Sequence, residues 1–155
     1  MPADASFESS VGFLLSQLGV IATRSWTEVL VERGLTPHHH AILLTLHATG
    51  PLGVTALADI VLVDPRNMGP VVAPLEQRAL IERGDDPADR RRRVLSLSSE
   101  GVKAAAELAT ATGRIEDELL APLGSSERDE LRSYLRTLWL HAKQAPSKRN
   151  TTSDA

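Results

Sequence analysis

The 155-residue chain has no cysteine, which excludes a disulfide scaffold, a thiolate zinc site and a cysteine redox switch. Aromatic residues are only 3% of it, which argues against a β-sandwich rich in Tyr, Trp and Phe and for a helical protein built on Leu, Ala and Val. No apolar run approaches the length that spans a bilayer. Residues 1–10 contain Asp4 and Glu8 and lack a basic segment followed by an apolar one, so no secretory signal is expected. The expectation is a cytoplasmic protein with no membrane partner. An excess of positive charge is also missing: 17 Lys and Arg face 20 Asp and Glu, a formal net charge of −3. Taken as a sum, this argues against nucleic acid, but local charge decides such binding more than the total does. What is present, 42% hydrophobic and 24% charged residues, is ordinary for a folded domain and excludes wholesale disorder.

Phe7, Val11, Leu14, Leu15, Leu18, Ile21, Val29 and Leu30 keep helical spacing and predict a first helix over residues 7–33, stopped by Gly34. So long an apolar helix in so short a chain calls for a helical partner. Thr36-Pro37 starts a second helix, to about Ala48, as N-cap and first-turn proline. A short helix over residues 55–62 follows. Asp64-Pro65 repeats the cap-plus-proline start for a helix reaching about Ala79. Two short helices joined by a tight turn are a helix-turn-helix. Residues 80–83 and 93–97 then read as two strands around the turn-forming segment 84–89, and a hairpin placed directly after a helix-turn-helix is a wing. Ser98 caps a long helix, Pro122-Leu123-Gly124 breaks it, and Ser125 or Ser126 caps a last helix with Leu131, Leu135 and Leu138 inward. The polar sequence from Gln144 onward is expected to fray.

The order of elements and several strings resemble the MarR family of bacterial winged-helix regulators. The strings are Gly34-Leu35-Thr36-Pro37, Gly50-Pro51-Leu52 before Leu57-Ala58, and Leu75-Glu76-Gln77-Arg78-Ala79-Leu80-Ile81-Glu82-Arg83. Most specific is Asp86-Pro87-Ala88-Asp89-Arg90-Arg91 running into Leu97-Ser98-Ser99-Glu100-Gly101. The resemblance spans roughly residues 7–142. It implies a mainly α fold with a small β-hairpin wing: a winged helix-turn-helix over about 36–98, and long dimerisation helices over about 7–33 and 99–143. Residues 7–143 form a single domain on this reading, with flexible ends at 1–6 and 144–155. The implied assembly is a homodimer with interlocked terminal helices. Its recognition helix would enter the major groove and its wing the minor groove, with a small-molecule effector in the crevice between the dimer helices and the DNA-binding lobe. In the family, the aspartate of the Asp-Arg-Arg string orients a wing arginine; here Asp89 and Arg91 match those places.

Arg90, Arg91, Arg92 and Arg93 form the densest positive run. They suit phosphate neutralisation and minor-groove insertion, or else a solvated turn paired with Asp85, Asp86 and Asp89. Between residues 62 and 95, seven arginines meet six acids, leaving +1 there and −4 elsewhere. Modest, salt-sensitive affinity that depends on dimerisation follows. The recognition helix departs from the family by carrying Pro70 and Pro74, both expected in its interior. Met68, Val71, Val72 and Leu75 form the buried stripe, while Arg66, Pro70, Ala73, Pro74 and Gln77 face outward. Base readout would then fall to Arg66, Asn67 and Gln77, with the prolines touching thymine methyls; the alternative is a kinked helix that binds DNA poorly.

His38, His39 and His40 point in different directions, being about 100° apart around the helix. They and His47 read as surface or pocket-lining residues rather than a metal site. Trp26 and His40 are candidates for the effector crevice, and Arg24 for its rim. Protonating all five histidines would move the charge from −3 to +2, so tighter DNA binding below about pH 6.5 is an expectation. No phosphate loop, nucleophile elbow or two-histidine metal helix is present, so neither catalysis nor a cofactor or metal is expected. The sequence reads as a homodimeric, DNA-binding transcriptional regulator, a repressor released by a small-molecule effector. The alternative is a winged-helix protein with weak or lost specific DNA binding, serving protein interaction or ligand binding.

Overall fold

Capping chemistry sets the helix boundaries in the computed structural model, which describes residues 7–144. The expected flexible ends fall outside these residues, except that Gln144 closes the last helix. The chain divides into two compact units, Met1–Asp117 and Glu118–Ala155.

In the first unit a 3-10 turn, Phe7–Ser9, precedes helix α1 (Val11–Glu32). The helix therefore begins later than residue 7, because the Ser10 side chain accepts from the Phe13 N–H and fixes the start. Gly34, at φ +63°, lets the Leu35 N–H return to the Leu30 carbonyl at 2.8 Å, a turn that favours glycine. Thr36 then caps α2 (Pro37–Thr49), and α3 (Val54–Val61) follows after Gly53.

Asp64-Pro65 opens a 3-10 turn, Pro65–Asn67, and only then does α4 begin (Met68–Gln77). This shift of three residues corrects the expected place of one proline. Pro70 lies in the first turn, where its missing N–H has no intrahelical partner to lose. Pro74 alone is interior, and α4 runs through it without interruption. The helix also stops before Ala79, which turns left-handed at φ 53°.

The hairpin pairs β1 (Ile81–Asp85) with β2 (Arg93–Leu97), antiparallel, from Ile81 opposite Leu97 to Asp85 opposite Arg93. Leu80 is left out of β1, since its N–H bonds the Leu75 carbonyl and its carbonyl accepts from Ser98. A bridge from Leu52 to Leu95 ties the loop between α2 and α3 to the hairpin. Ser98 then caps α5 (Ser99–Leu119) through the Gly101 N–H. Leu30, Ile42, Leu43, Leu57, Met68, Val72, Leu75, Leu95 and Leu108 are fully buried together. This core fixes α4 and the hairpin against one frame. By contrast Leu14, Leu15, Leu18 and Ile21 of α1 are exposed.

The second unit contains α6 (Ser125–Gln144). Ser125 is already helical, and neither serine serves as the expected cap. The start is held instead at Gly124, whose N–H donates to Glu127 Oε2 at 2.7 Å and whose carbonyl accepts from Arg128 N. Leu135 and Leu138, expected inward, are exposed in the single chain, as are Tyr134, Trp139 and Leu140. Among the described residues no helix is long and apolar enough to cross a membrane.

Candidate nucleic-acid interface

Four of the seven arginines in the 62–95 segment are held by acids. Arg66 grips Asp64 with two bonds, Nε to Oδ1 at 3.1 Å and Nη2 to Oδ2 at 2.8 Å. Its side chain is still 87% exposed, and the Asp64 bond raises its pKa above the ordinary value. Arg83 pairs with Glu76 at 2.6 Å, linking β1 to α4. Arg93 pairs with Asp85 across the hairpin at 2.9 Å. Arg92 lies 3.9 Å from Asp89. A fifth, Arg78, donates to the Gly34 carbonyl at 3.1 Å, tying the end of α4 to the turn after α1.

The wing tip is a built turn. Asp86 Oδ1 accepts from Ala88 N at 2.8 Å, Asp89 Oδ1 accepts from Arg91 N at 3.1 Å, and Asp86 N reaches the Arg92 carbonyl at 2.8 Å. These side-chain-to-backbone bonds are Asx turns, the local chemistry that suits Asp to a tight loop. Arg90 and Arg91 sit on this turn, exposed, and among the described residues neither guanidinium has an acidic partner. Asp89, expected to hold the Arg91 side chain, holds the Arg91 backbone amide instead, and its ion pair is with Arg92.

On α4, Met68, Val72 and Leu75 face the core, with Val71 half-buried. Gly69, Pro70 and Gln77 are exposed, and Ala73 and Pro74 half so. Asn67 is exposed and spends no side-chain bond on capping the helix. The helix thus offers amides at its two ends and no hydrogen-bonding side chain on the outer face between them.

The histidines split. His39 is buried: its Nδ1 accepts from the Thr36 N–H at 3.2 Å, which leaves Nε2 as the donor to the Val71 carbonyl of α4 at 3.1 Å. It closes the capping box of α2 and props α4 at once. The spacing of three from Thr36 was the available signal; the reach to Val71 is tertiary and has none. Burial lowers the His39 pKa most, opposed by the Val71 bond and reinforced by Arg78 and His38; burial also lowers that of His40. Two of the five histidines therefore resist the protonation that the charge argument assumed. Trp26 and His40 do come together, ring centroids 5.6 Å apart, and Trp26 Nε1 and His40 Nε2 are buried with no hydrogen-bond partner. A shallow cavity of about 660 Å³ along α1 is lined by Arg24 and Glu28 but by neither of these rings. Among the described residues no three His, Asp or Glu side chains are grouped to hold a metal ion.

Comparison with known proteins gives this geometry its context. Residues 35–92, the helix-turn-helix and most of the wing, match the MarR family. Over 143 residues the chain is 30% identical to a Thauera aromatica protein assigned to transcriptional regulation of the hcr operon, covering 92% of this chain and 86% of that one. The transcriptional repressor CouR, solved bound to a 23-mer DNA duplex, is 27% identical with a TM-score of 0.74, over 86% of this chain and 95% of its own. The PcaV regulator of Streptomyces coelicolor, solved with its natural ligand, is 26% identical with a TM-score of 0.71, over 90% and 99%. These relatives are transcriptional regulators and not enzymes. The chain belongs to the MarR family of winged-helix transcriptional regulators.

Proposed function

We propose that the protein works as a homodimer that binds duplex DNA and represses transcription until a small molecule releases it. The observation that carries the DNA reading is the wing tip, where Arg90 and Arg91 are presented on a hydrogen-bonded turn with no acidic partner among the described residues. Surface arginines left unpaired beside a helix-turn-helix suit phosphates and the narrow minor groove. Arg92 and Arg93 would join them by exchanging Asp89 and Asp85 for phosphate, Arg66 would stay paired with Asp64 beside the DNA backbone, and Asn67, Pro70 and Gln77 would face the major groove. Asp89 shapes the tip through the Arg91 amide. Because so few cations are free, one subunit alone binds weakly and pairing supplies the rest.

The exposed apolar rows of α1 and of α6 support the pairing, since a monomer seldom leaves such stripes in water. The unpartnered nitrogens of Trp26 and His40 support an effector site. Each buried unsatisfied polar atom costs about 1–3 kcal/mol. A planar molecule carrying an acceptor for the Trp26 N–H would recover part of that. CouR and PcaV, solved with DNA and with a ligand respectively, are consistent with both roles. A protein with this role would work in the cytoplasm.

The test is binding to the promoter region of its own operon over a salt series, with excess unrelated DNA, alongside sedimentation to fix the assembly. The expected result is competitor-resistant binding by a dimer that weakens as salt rises. A second reading, a winged-helix module without specific DNA binding, draws on the donor-poor face of α4; the absence of competitor-resistant binding at low salt would establish it.

A further inference from the structure

The outer face of α4 determines what kind of base pair it can distinguish. Opposite the buried Met68, Val72 and Leu75 stand Pro70 and Ala73, flanked by Gly69 and Pro74. None of the four side chains can donate or accept a hydrogen bond. All four are short, so a base edge can approach the helix closely. Arg66, the one cation at this end, has its guanidinium fork committed to Asp64, and the bidentate contact that selects guanine needs that same fork. The polar groups left over are the amides of Asn67 and Gln77, at the two ends. In the major groove an apolar surface can read one feature, the methyl group on C5 of a pyrimidine.

We infer that α4 selects its half-site by the C5 methyl group itself, through Pro70, Ala73 and Pro74, and is indifferent there to the hydrogen-bonding pattern of the base pair. The inference rests on the DNA-binding reading above and adds a consequence to it. Thymine and 5-methylcytosine present the same methyl at the same place, although one carries an acceptor and the other a donor beside it. A face with no hydrogen-bonding group treats them alike. Cytosine methylation within a half-site therefore raises affinity, which makes binding responsive to the methylation state of the DNA.

The probe is a duplex enriched by the wild-type protein from a random-sequence library long enough for two half-sites about one helical turn apart. At the pyrimidine whose identity is most strongly selected, four versions are compared: thymine, uracil, 5-methylcytosine and cytosine, each with its complementary purine. Thymine and 5-methylcytosine bind equally, and uracil and cytosine bind equally and more weakly. A buried methyl is worth roughly fourfold in affinity, so one lost in each half-site of a dimer weakens binding by more than about tenfold. In a Pro70→Ser/Pro74→Ser variant that keeps its helical circular dichroism, the difference between thymine and uracil shrinks to less than about half, because the reading surface is gone. Equal binding of thymine and uracil by the wild type overturns the inference while leaving DNA binding intact, and does so whether or not the variant folds. A preference for thymine over both cytosine forms, with methylation making no difference, overturns it too by showing hydrogen-bond readout. If no duplex is enriched at all, the DNA-binding reading itself falls and the inference falls with it.

Discussion

His39 shows how one side chain can serve two elements. It closes the cap of α2 and holds the Val71 carbonyl of α4; the first bond needs the neutral ring with its proton on Nε2, while the second survives protonation. Protonation would turn the Nδ1 acceptor into a donor facing the Thr36 N–H. Since the native pKa values of His39 and His40 are lowered, the unfolded chain takes up these protons first. Stability is then full above about pH 6.5 and declines as pH falls through that value toward the native pKa. Urea unfolding at neutral and mildly acidic pH should show this loss, and a His39→Gln variant should show less of it. Equal losses would assign the effect elsewhere. Gly101 is a second residue with a sharp demand: a Cβ placed there would lie within bonding distance of the Leu80 carbonyl oxygen. Gly101→Ala should cost about 1–3 kcal/mol, the usual penalty of forced overpacking, read as a lower denaturation midpoint at unchanged slope. At this scale the sequence was only partly legible. It marked His39, Arg66 and Asp89 as residues of interest. The pairing of Asp89 and Asp85 with the arginine run was among the readings; the reach of His39 to Val71 and the grip of Arg66 on Asp64 depend on side-chain placement that spacing does not encode.

Among the elements, the helices with strong local chemistry were readable and the transitions between them were not. Thr36-Pro37 announced its helix because a capping oxygen and a fixed proline φ act within a few residues, and Asp64-Pro65 announced a helical turn three residues before α4 itself. The 3-10 turn at Pro65–Asn67 was not announced, and it changes the meaning of α4 by moving Pro70 into the first turn. The wing was legible as a hairpin, with β2 at the expected residues, but β1 begins one residue later than the apolar pattern suggested because Leu80 is used to anchor Ser98. Pro74 remains the costly residue, as the one proline interior to α4. Pro74→Ala restores a helical N–H and should stabilise the protein by about 1–2 kcal/mol, part of the usual ~3 kcal/mol cost of an interior proline. If its ring also contacts DNA, the same variant loses discrimination between thymine and uracil. A gain in melting temperature with unchanged discrimination would confine Pro74 to a structural cost.

For the molecule as a whole, net charge is the least informative number. The −3 total hides a chain whose wing concentrates arginine and whose acids pair with four of the seven arginines between residues 62 and 95. The +1 of the segment from residue 62 to residue 95 already implied weak binding by a single subunit. Within that segment, among the described residues, the ion pairs and the Arg78 bond to the Gly34 carbonyl leave Arg90 and Arg91 at the tip without an acidic or backbone partner for the guanidinium. The exposed apolar stripe on α1 was foreseen as a need for a helical partner, since no stripe so long fits inside a chain this short, whereas Leu135 and Leu138 of α6 were expected inward and are exposed in the single chain. The measurement that bears most directly on the account is the salt dependence of binding to its promoter DNA, wild type against an Arg90→Ala/Arg91→Ala variant of matched stability. Each phosphate contact contributes about 0.9 to the slope of log K against log salt. Losing two arginines from each of two wings should lower the slope by roughly 3 to 4 and weaken binding at low salt. An unchanged slope and affinity in the double variant would contradict the central claim that the wing tips hold DNA.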